Sequence, residues 1–284
     1  MLRCDIPSLL QLLPEAVEAK DLPGMADVDS SLLYFCRKVA ERHTVALSGE
    51  CADEVFGGYP WFERSELLEA DTFPWCPDLE FRRAVVKPEL WESLQVEDYV
   101  QARYQQSLAE MPALPGEALW ERRRREVGWL SLNWFMSTLL DRKDRMSMAA
   151  GLEVRVPFCD HHLVEYVWNI PWAMKAMNGQ RKQVLRDAAE GLLPEELLRR
   201  PKSPYPKTWN PAYLAAVSAE LRRVISDPAA PLLAIIKKEA LEALLASGAD
   251  NPVPWYGQLM TTPQTIAWFL QVNYWMKKYR VELV

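Results

Sequence analysis

Residues 44–59 read Thr44-Val-Ala-Leu-Ser-Gly-Glu-Cys-Ala-Asp-Glu-Val-Phe-Gly-Gly-Tyr59. This stretch decides the fold, because it predicts a strand, a tight turn and a helix in succession. The apolar run 44–47 predicts a short buried strand, and Ser48-Gly49 predicts a turn where a ligand can approach the backbone closely. An amphipathic helix is predicted just before it, over 30–42. Together these elements indicate one unit of a parallel α/β sheet.

Three carboxylates, Glu50, Asp53 and Glu54, follow the turn. We predict that they open a helix that ends at Gly57-Gly58. Because Glu50 and Asp53 are three residues apart, they are expected to share one helix face, at the sheet edge where open α/β folds bind ligands. The alternative is structural, since acids in the first turn of a helix also complement its dipole.

Most of the remaining chain predicts helices by its apolar periodicity. The predicted helices cover residues 5–20, 96–111, 117–148, 163–168, 182–192, 194–199, 211–225, 232–245 and 265–279. Residues 71–95, rich in Pro and aromatic side chains, predict an irregular connector. No second segment is a convincing strand, so the predicted sheet is incomplete.

Two charged segments are further candidates for chemistry. Asp144 and Arg145 can hold a zwitterionic substrate, because an Arg fork matches a carboxylate; the alternative is an ion-pair network that braces Glu153 and Arg155. Lys182 stands at a predicted helix start, where a cation is unfavourable unless it faces an anionic ligand. The alternative is that Lys182 belongs to a basic helix face that is exposed to solvent.

Composition excludes several classes of function. The chain has 284 residues, 33 basic and 39 acidic, and a net charge of −6, which disfavours nonspecific nucleic-acid binding and a polybasic membrane anchor. The run Arg122–Arg125 lies between Glu121 and Glu126, which predicts a solvated, ion-paired helix face. Five cysteines without a CxxC pair, and His161-His162 without further ligands, disfavour a disulfide framework and a zinc site. With no signal peptide apparent, a cytoplasmic location is expected.

Taken together, three segments resemble the synthetase domain of the glutamine-hydrolysing asparagine synthases. Residues 48–59 are similar to that family's SGEGADE-[LV]-FGGY motif, and residues 144–160 resemble its DRxSMAxxLExRxPFLD motif. The stretch from Lys182 to Arg186, followed by Leu193-Pro194 and Arg200-Pro-Lys202, resembles KxxLR…LP…RxK. The resemblance extends from about residue 20 to the C-terminus.

The resemblance implies a fold and a domain organisation. The expected fold is a mainly α-helical remnant of an α/β adenine-nucleotide α-hydrolase-like (HUP) synthetase domain with few parallel strands. Residues 1–65 are expected to form a partial nucleotide-binding portion and residues 66–284 the helical portion. The family's glutaminase domain and SGGxDSS pyrophosphate loop have no counterpart in the sequence, and Cys51 and Cys159 replace the family's usual Gly and Leu.

The resemblance also implies an activity and roles for residues. With ATP and Mg²⁺, the family converts aspartate to asparagine through a β-aspartyl-adenylate, using ammonia from glutamine. By position in the motifs, Glu50 and Lys182 are expected to be catalytic, Ser48 and Gly49 to contact ATP, and Asp53 to hold Mg²⁺ and pyrophosphate. Four further residues are expected around the aspartate: Asp144, Arg145, Glu153 and Arg155.

Because one side of the nucleotide site has no counterpart, we expect little or no asparagine formation by this chain alone. The missing half, or a second copy in a homodimer, is the expected partner. Three alternatives stay open: a related amide-forming synthetase of the β-lactam or peptide-cyclising type, a non-catalytic helical interaction module, and a remnant without function. Glu50 favours the ammonia-using branch over the β-lactam-forming one.

Overall fold

The computed structural model describes residues 2–176, 179–201, 203, 205, 208, 210–247 and 260–283. Lys202, which we matched to a family lysine, lies outside these residues. The described chain is mostly helical, with a small parallel sheet. In these ranges no helix combines the length and the apolar character needed to cross a membrane.

The helices are α1 Ile6–Lys20, α2 Asp27–Ala40, α3 Ala52–Phe56, α4 Ser65–Leu68, α5 Glu80–Val85, α6 Pro88–Leu94, α7 Val96–Ala109, α8 Leu119–Leu130, α9 Ser137–Met148, α10 His161–Trp168, α11 Trp172–Lys175, α12 Gln183–Ala188, α13 Glu195–Arg199, α14 Pro211–Ser226, α15 Lys238–Ser247 and α16 Thr262–Tyr279. The strands are β1 Val45–Leu47 and β2 Glu153–Arg155. A π-helical turn, Ser131–Met136, joins α8 to α9, and 3₁₀ turns cover Pro60–Phe62, Pro157–Cys159 and Pro231–Ala234.

The long helices lie where the apolar spacing predicted them, but the connector predicted over 71–95 is wrong in part. It contains α5 and α6, and Pro88 begins α6, where its fixed φ and missing N–H suit the first helical position. The helix predicted over 117–148 begins at Leu119 and is interrupted by the π turn. There the Ser131 hydroxyl donates to the carbonyl of Val127 at 2.7 Å.

The sheet corrects two expectations. β1 pairs in parallel with β2 in the register Val45–Glu153, Ala46–Val154 and Leu47–Arg155, so a second strand exists where none was predicted. Charged residues flank the one β-branched residue of β2, which hides it from pattern analysis. β1 is also not buried, because Leu47 is 75% exposed and Val45 40% exposed. Only the face of Ala46 and Val154 packs on the core.

Separate apolar clusters hold these elements together. α1, α14 and α16 form the largest cluster, around Phe269, Leu221 and Val217, all of which are fully buried. Another cluster joins α2 and α9 beneath the sheet through Leu33 and Met146. This second cluster fixes the strand end from which the acidic turn departs. The division of the chain near residue 65 stays a prediction.

Candidate functional site

The turn after β1 is fixed by backbone and side-chain hydrogen bonds. The Ser48 N–H donates to the carbonyl of Arg155 at 2.9 Å, and the Glu50 N–H donates to the Ser48 hydroxyl at 3.4 Å. A methyl group placed on Gly49 would meet no atom within 4 Å. The backbone at Gly49 therefore borders open space, as close approach of a ligand requires. Cys51 then takes φ 75°, a conformation that favours glycine, and α3 begins after it.

The three carboxylates of the motif point to three different places. α3 begins at Ala52, so Glu50 precedes the helix, and the prediction that Glu50 and Asp53 share a helix face is wrong. Glu54 is buried and accepts a hydrogen bond from the Tyr59 hydroxyl at 2.7 Å. The left-handed residue at Cys51 separates Glu50 from the helix, which sequence spacing alone does not reveal.

Glu50 is held by two cations from α9. Its Oε1 atom lies 3.3 Å from Nη2 of Arg142 and 3.6 Å from Nζ of Lys143. Its Oε2 atom is buried and has no hydrogen-bond partner within the part of the chain that the structure describes. Sequence analysis missed Arg142 and Lys143, although they stand in the charged segment it singled out. One oxygen of Glu50 is thus fixed while the other is an unused acceptor.

Asp53 meets Lys182, which lies 129 positions further along the chain. Oδ1 of Asp53 and Nζ of Lys182 are 2.9 Å apart, and both side chains are mostly buried. Lys182 has φ 58°, an uncommon conformation for a lysine that often marks a functional position. A methyl group on Gly58 would lie 1.8 Å from Oδ1 of Asp53, so the position of this carboxylate depends on glycine there.

A cavity of about 600 Å³ opens beside the Asp53–Lys182 pair. Phe158 and Arg186 also line it, and Arg186 ties the cavity wall together by donating to the carbonyls of Leu198 and, at 3.2 Å, of Arg200. Glu50 is not part of the lining. Glu50 and Lys182 are both expected to be catalytic, and we therefore predict that they face one common cavity; this stays a prediction.

The four residues expected around the aspartate make other contacts. Arg145 lies 3.5 Å from Asp141 and 3.9 Å from Asp21, and Glu153 pairs with Arg155 at 2.7 Å on the exposed sheet. The carbonyl of Asp144 accepts from the Ser147 hydroxyl. Of the contacts described above, the one that joins these four residues to the turn is the hydrogen bond from the Ser48 N–H to the carbonyl of Arg155. Their role in a substrate pocket stays a prediction.

Around the turn, three cations face the carboxylates of the motif. Arg142 and Lys143 face Glu50, while Lys182 faces Asp53. Burial raises the pKa of Glu54, and this outweighs the hydrogen bond from Tyr59, which lowers it. Burial thus draws Glu54 toward its neutral form, which reduces the negative charge near the turn and favours anionic oxygens of a ligand there.

The Glu54→Gln variant is expected to flatten the dependence of stability on pH. A raised pKa means that the folded state binds its proton more tightly, so the contribution of Glu54 is fully present at low pH and is lost as pH rises through the folded pKa. Because glutamine keeps the acceptor for Tyr59 without a charge, the variant should match or exceed the native chain at pH 8, by about 1 kcal/mol. Urea unfolding between pH 5 and 8 measures this.

The exposed Glu220→Gln variant, which loses only a surface pair with Arg223, is the matched control and should keep the native pH profile. An unchanged slope in Glu54→Gln would show that Glu54 does not titrate in this range.

Comparison with known proteins gives a consistent result. The sequence profile of the asparagine synthase family matches residues 2–277. The chain is 49% identical over 276 residues to "Asparagine synthetase [glutamine-hydrolyzing] 3" of Bacillus subtilis, covering 97% of this chain and 45% of the relative. It is 31% identical to "Asparagine synthetase [glutamine-hydrolyzing] 1" of the same organism, covering 68% of this chain and 35% of the relative.

A "Putative asparagine synthetase [glutamine-hydrolyzing]" of Mycobacterium tuberculosis is also 31% identical, over 68% of this chain and 34% of the relative. The chain therefore spans less than half the length of the curated relatives it matches.

Proposed function

Because this chain belongs to the asparagine synthase family, we propose that it carries the aspartate-activating chemistry of a glutamine-hydrolysing asparagine synthetase. In that reaction the side-chain carboxylate of aspartate attacks the α-phosphorus of ATP and releases pyrophosphate. Ammonia then attacks the acyl carbon of the aspartyl-adenylate, and AMP leaves. The observation that carries the proposal is the meeting of Asp53 and Lys182 at 2.9 Å beside an open cavity, although they belong to separate motifs.

Asp53 and Lys182 suit the pyrophosphate end of this chemistry. The Asp53 carboxylate offers the hard oxygen that Mg²⁺ prefers. In the described ranges no three His, Cys, Asp or Glu side chains form a metal cluster, so Asp53 and the ligand's own oxygens would hold the ion. When bound, Mg²⁺ neutralises charge on the departing pyrophosphate. The Lys182 ammonium, now paired with Asp53, would turn to the phosphate oxygens.

Glu50 suits the amide-forming end. Arg142 and Lys143 fix its Oε1 atom, and the buried Oε2 atom is left to accept a hydrogen bond. An incoming ammonia molecule can donate to that oxygen and be oriented toward the acyl carbon. The same oxygen can take the proton that the amine loses as the amide forms.

The finer fold assignment is part of the proposal. We place residues 1–65, which include β1 and the turn, in a nucleotide-binding α/β portion. β2, the parallel partner of β1, belongs to the same portion, and the rest of the chain forms the helical portion. The parallel pairing of β1 with β2 supports this, as does the turn at the carboxyl end of β1. The exposed side chains of Val45 and Leu47 show that one face of the sheet is uncovered in this chain. Ser48 and Gly49 would then contact ATP from the turn.

The test replaces the matching part of the Bacillus subtilis relative with this chain, to give a single full-length protein. Asparagine formed from aspartate, Mg-ATP and ammonia is quantified by chromatography. We expect the chimera to form asparagine, and Glu50→Gln or Lys182→Met to lower kcat/KM at least 100-fold, the usual cost of losing a preorganised charged group. Arg37→Gln, which removes an exposed pair with Glu15, is the control.

The chain by itself is assayed in parallel and is expected to form little or no asparagine. Native rates from the chain alone would contradict that expectation. An active chimera that tolerates Lys182→Met would contradict the assigned role of the lysine, and a different amide product would favour a related synthetase.

A further inference from the structure

A second, smaller cavity of about 210 Å³ lies on another side of α3, and none of the residues to which the proposed function gives a role lines it. α8, α10 and α11 form its other walls. Phe62, Trp168 and Trp172 supply flat apolar surface, and Trp172 stacks on Phe62 with ring centroids 4.9 Å apart. A cavity of this size and lining suits a small ligand with an aromatic body.

Two arginines of the run Arg122–Arg125 turn toward this cavity. Arg122 and Arg123 pair with Glu126, as predicted, but the solvated face predicted for the whole run holds only for Arg122. Arg123 donates to the carbonyls of Leu68 and Ala70, and Arg124 and Arg125 line the cavity. They line the cavity because Trp168 and Trp172 pack over α8. Sequence spacing could not reveal a partner that comes from another helix.

The guanidinium groups of Arg124 and Arg125 each have some of their contacts provided by the protein. Arg124 lies 5.8 Å from the Trp172 ring centroid, and Arg125 lies 5.6 Å from that of Trp168. Arg125 also pairs with Glu117 at 2.7 Å. The Nε atoms of both arginines are buried, and neither has a hydrogen-bond partner among the residues that the structure describes. Two buried donors beside the cavity are thus without an acceptor in the described part of the chain, which is rare in native structures.

A third cation, Lys175, also lines the cavity. Burial and the nearby Arg125 lower the pKa of Lys175 to about 8, so the lysine is still mostly protonated at pH 7. The acidic side chains that line the cavity are Glu117, already paired with Arg125, together with Glu121 and the hydrogen-bonded Glu54. An anion in the cavity would therefore relieve repulsion between cations.

We propose that this cavity binds a small aromatic carboxylate, with its ring against Trp168 and Trp172 and its carboxylate on Arg124, Arg125 and Lys175. A monoanion with an apolar body fits better than a phosphate, because most of the lining is apolar and a dianion loses more hydration on entry. Since Val55 of α3 and Gly57, which follows the last residue of α3, also line the cavity, its occupant would contact the helix that carries Asp53. This site is separate from the one under the proposed function.

The test titrates the purified chain with phenylacetate and with its neutral isostere phenylacetamide, at pH 7, by calorimetry and by tryptophan fluorescence. We expect saturable binding of phenylacetate at least tenfold tighter than that of phenylacetamide. Arg124→Gln should weaken phenylacetate binding at least fivefold, whereas Arg122→Gln, two residues away on the exposed face, should change it less than twofold. Arg125 is left intact because it pairs with Glu117.

A second arm keeps the proposal testable if Arg124→Gln fails to fold. Native binding should weaken as pH rises from 7 to 9 and Lys175 loses its proton, and Lys175→Gln should remove that dependence. Absence of saturable binding, equal affinity for the two probes, or an equal loss in Arg122→Gln would each overturn the proposal.

Discussion

Replacing Gly57 with alanine is expected to lower the free energy of unfolding by about 2–5 kcal/mol. Gly57 has φ 71°, and the left-handed region costs an alanine about 1–2 kcal/mol. The added methyl would also lie 2.4 Å from Cη2 of Trp172. Because Trp172 is stacked on Phe62, it cannot withdraw without losing that contact, and overpacking of this kind costs about 1–3 kcal/mol more.

Gly151 provides the matched control for this prediction. It has the same φ of 71°, but a methyl group there would meet nothing within 4 Å. Gly151→Ala should therefore lose only the backbone cost of about 1–2 kcal/mol. Urea unfolding followed by circular dichroism measures both variants, and the difference between them is the steric part.

A double-mutant cycle assigns that steric part to Trp172. In the Gly57→Ala background, Trp172→Leu should destabilise less than it does alone, because the methyl then has room. Equal losses in Gly57→Ala and Gly151→Ala would show that Trp172 moves freely. Because α3 ends at Gly57, the cycle also reports how firmly α11 supports the helix that carries Asp53.

The local geometry of the turn could be predicted from the sequence only in part. Small residues after an apolar run correctly predicted a strand followed by a turn open to ligands at Gly49. The direction of each carboxylate could not be predicted, because it depends on the left-handed backbone at Cys51. That conformation is chosen by packing, not by the propensity of a cysteine.

Contacts between segments that are distant in sequence could not be predicted from local sequence patterns. β2 has no apolar alternation of its own and becomes a strand only by pairing with β1. The charged segment around Asp144 and Arg145 was recognised, but the contacts of its neighbours Arg142 and Lys143 with Glu50 were not predicted. Which face of α9 meets Glu50 is decided by its packing on α2, and that is a tertiary property with no signature in local spacing.

Of the contacts that the sequence did not predict, those of Arg142 matter most. Its side chain is nearly fully buried and lies near two carboxylates. Its Nη2 atom contacts Glu50, and its Nη1 atom lies 3.1 Å from Sδ of Met25. Burial raises the pKa of Asp29, and the positive charge of Arg142 is the main influence that lowers it. Arg142 thus stabilises a buried charge on one side while it positions Glu50 on the other.

Arg142→Met is therefore expected to cost about 3–5 kcal/mol at pH 8, the usual result of leaving a buried charge without its partner. Without Arg142, the folded pKa of Asp29 rises further. The folded state then binds more protons than the unfolded state, so stability falls as pH rises. The loss should shrink toward pH 5, where Asp29 is closer to neutral. Urea unfolding at pH 5, 6.5 and 8 gives the slope.

Two further variants separate charge from packing. Arg37→Met breaks an exposed pair with Glu15 and should lose under about 1 kcal/mol at every pH. Adding Asp29→Asn to Arg142→Met should recover stability at pH 8 and remove the steep slope, because position 29 then carries no titratable group. A loss that is uniform across pH would mean that Arg142 acts by packing alone. In that case its hold on Glu50 would have to be tested separately, by whether Arg142→Lys preserves kcat/KM in the chimera.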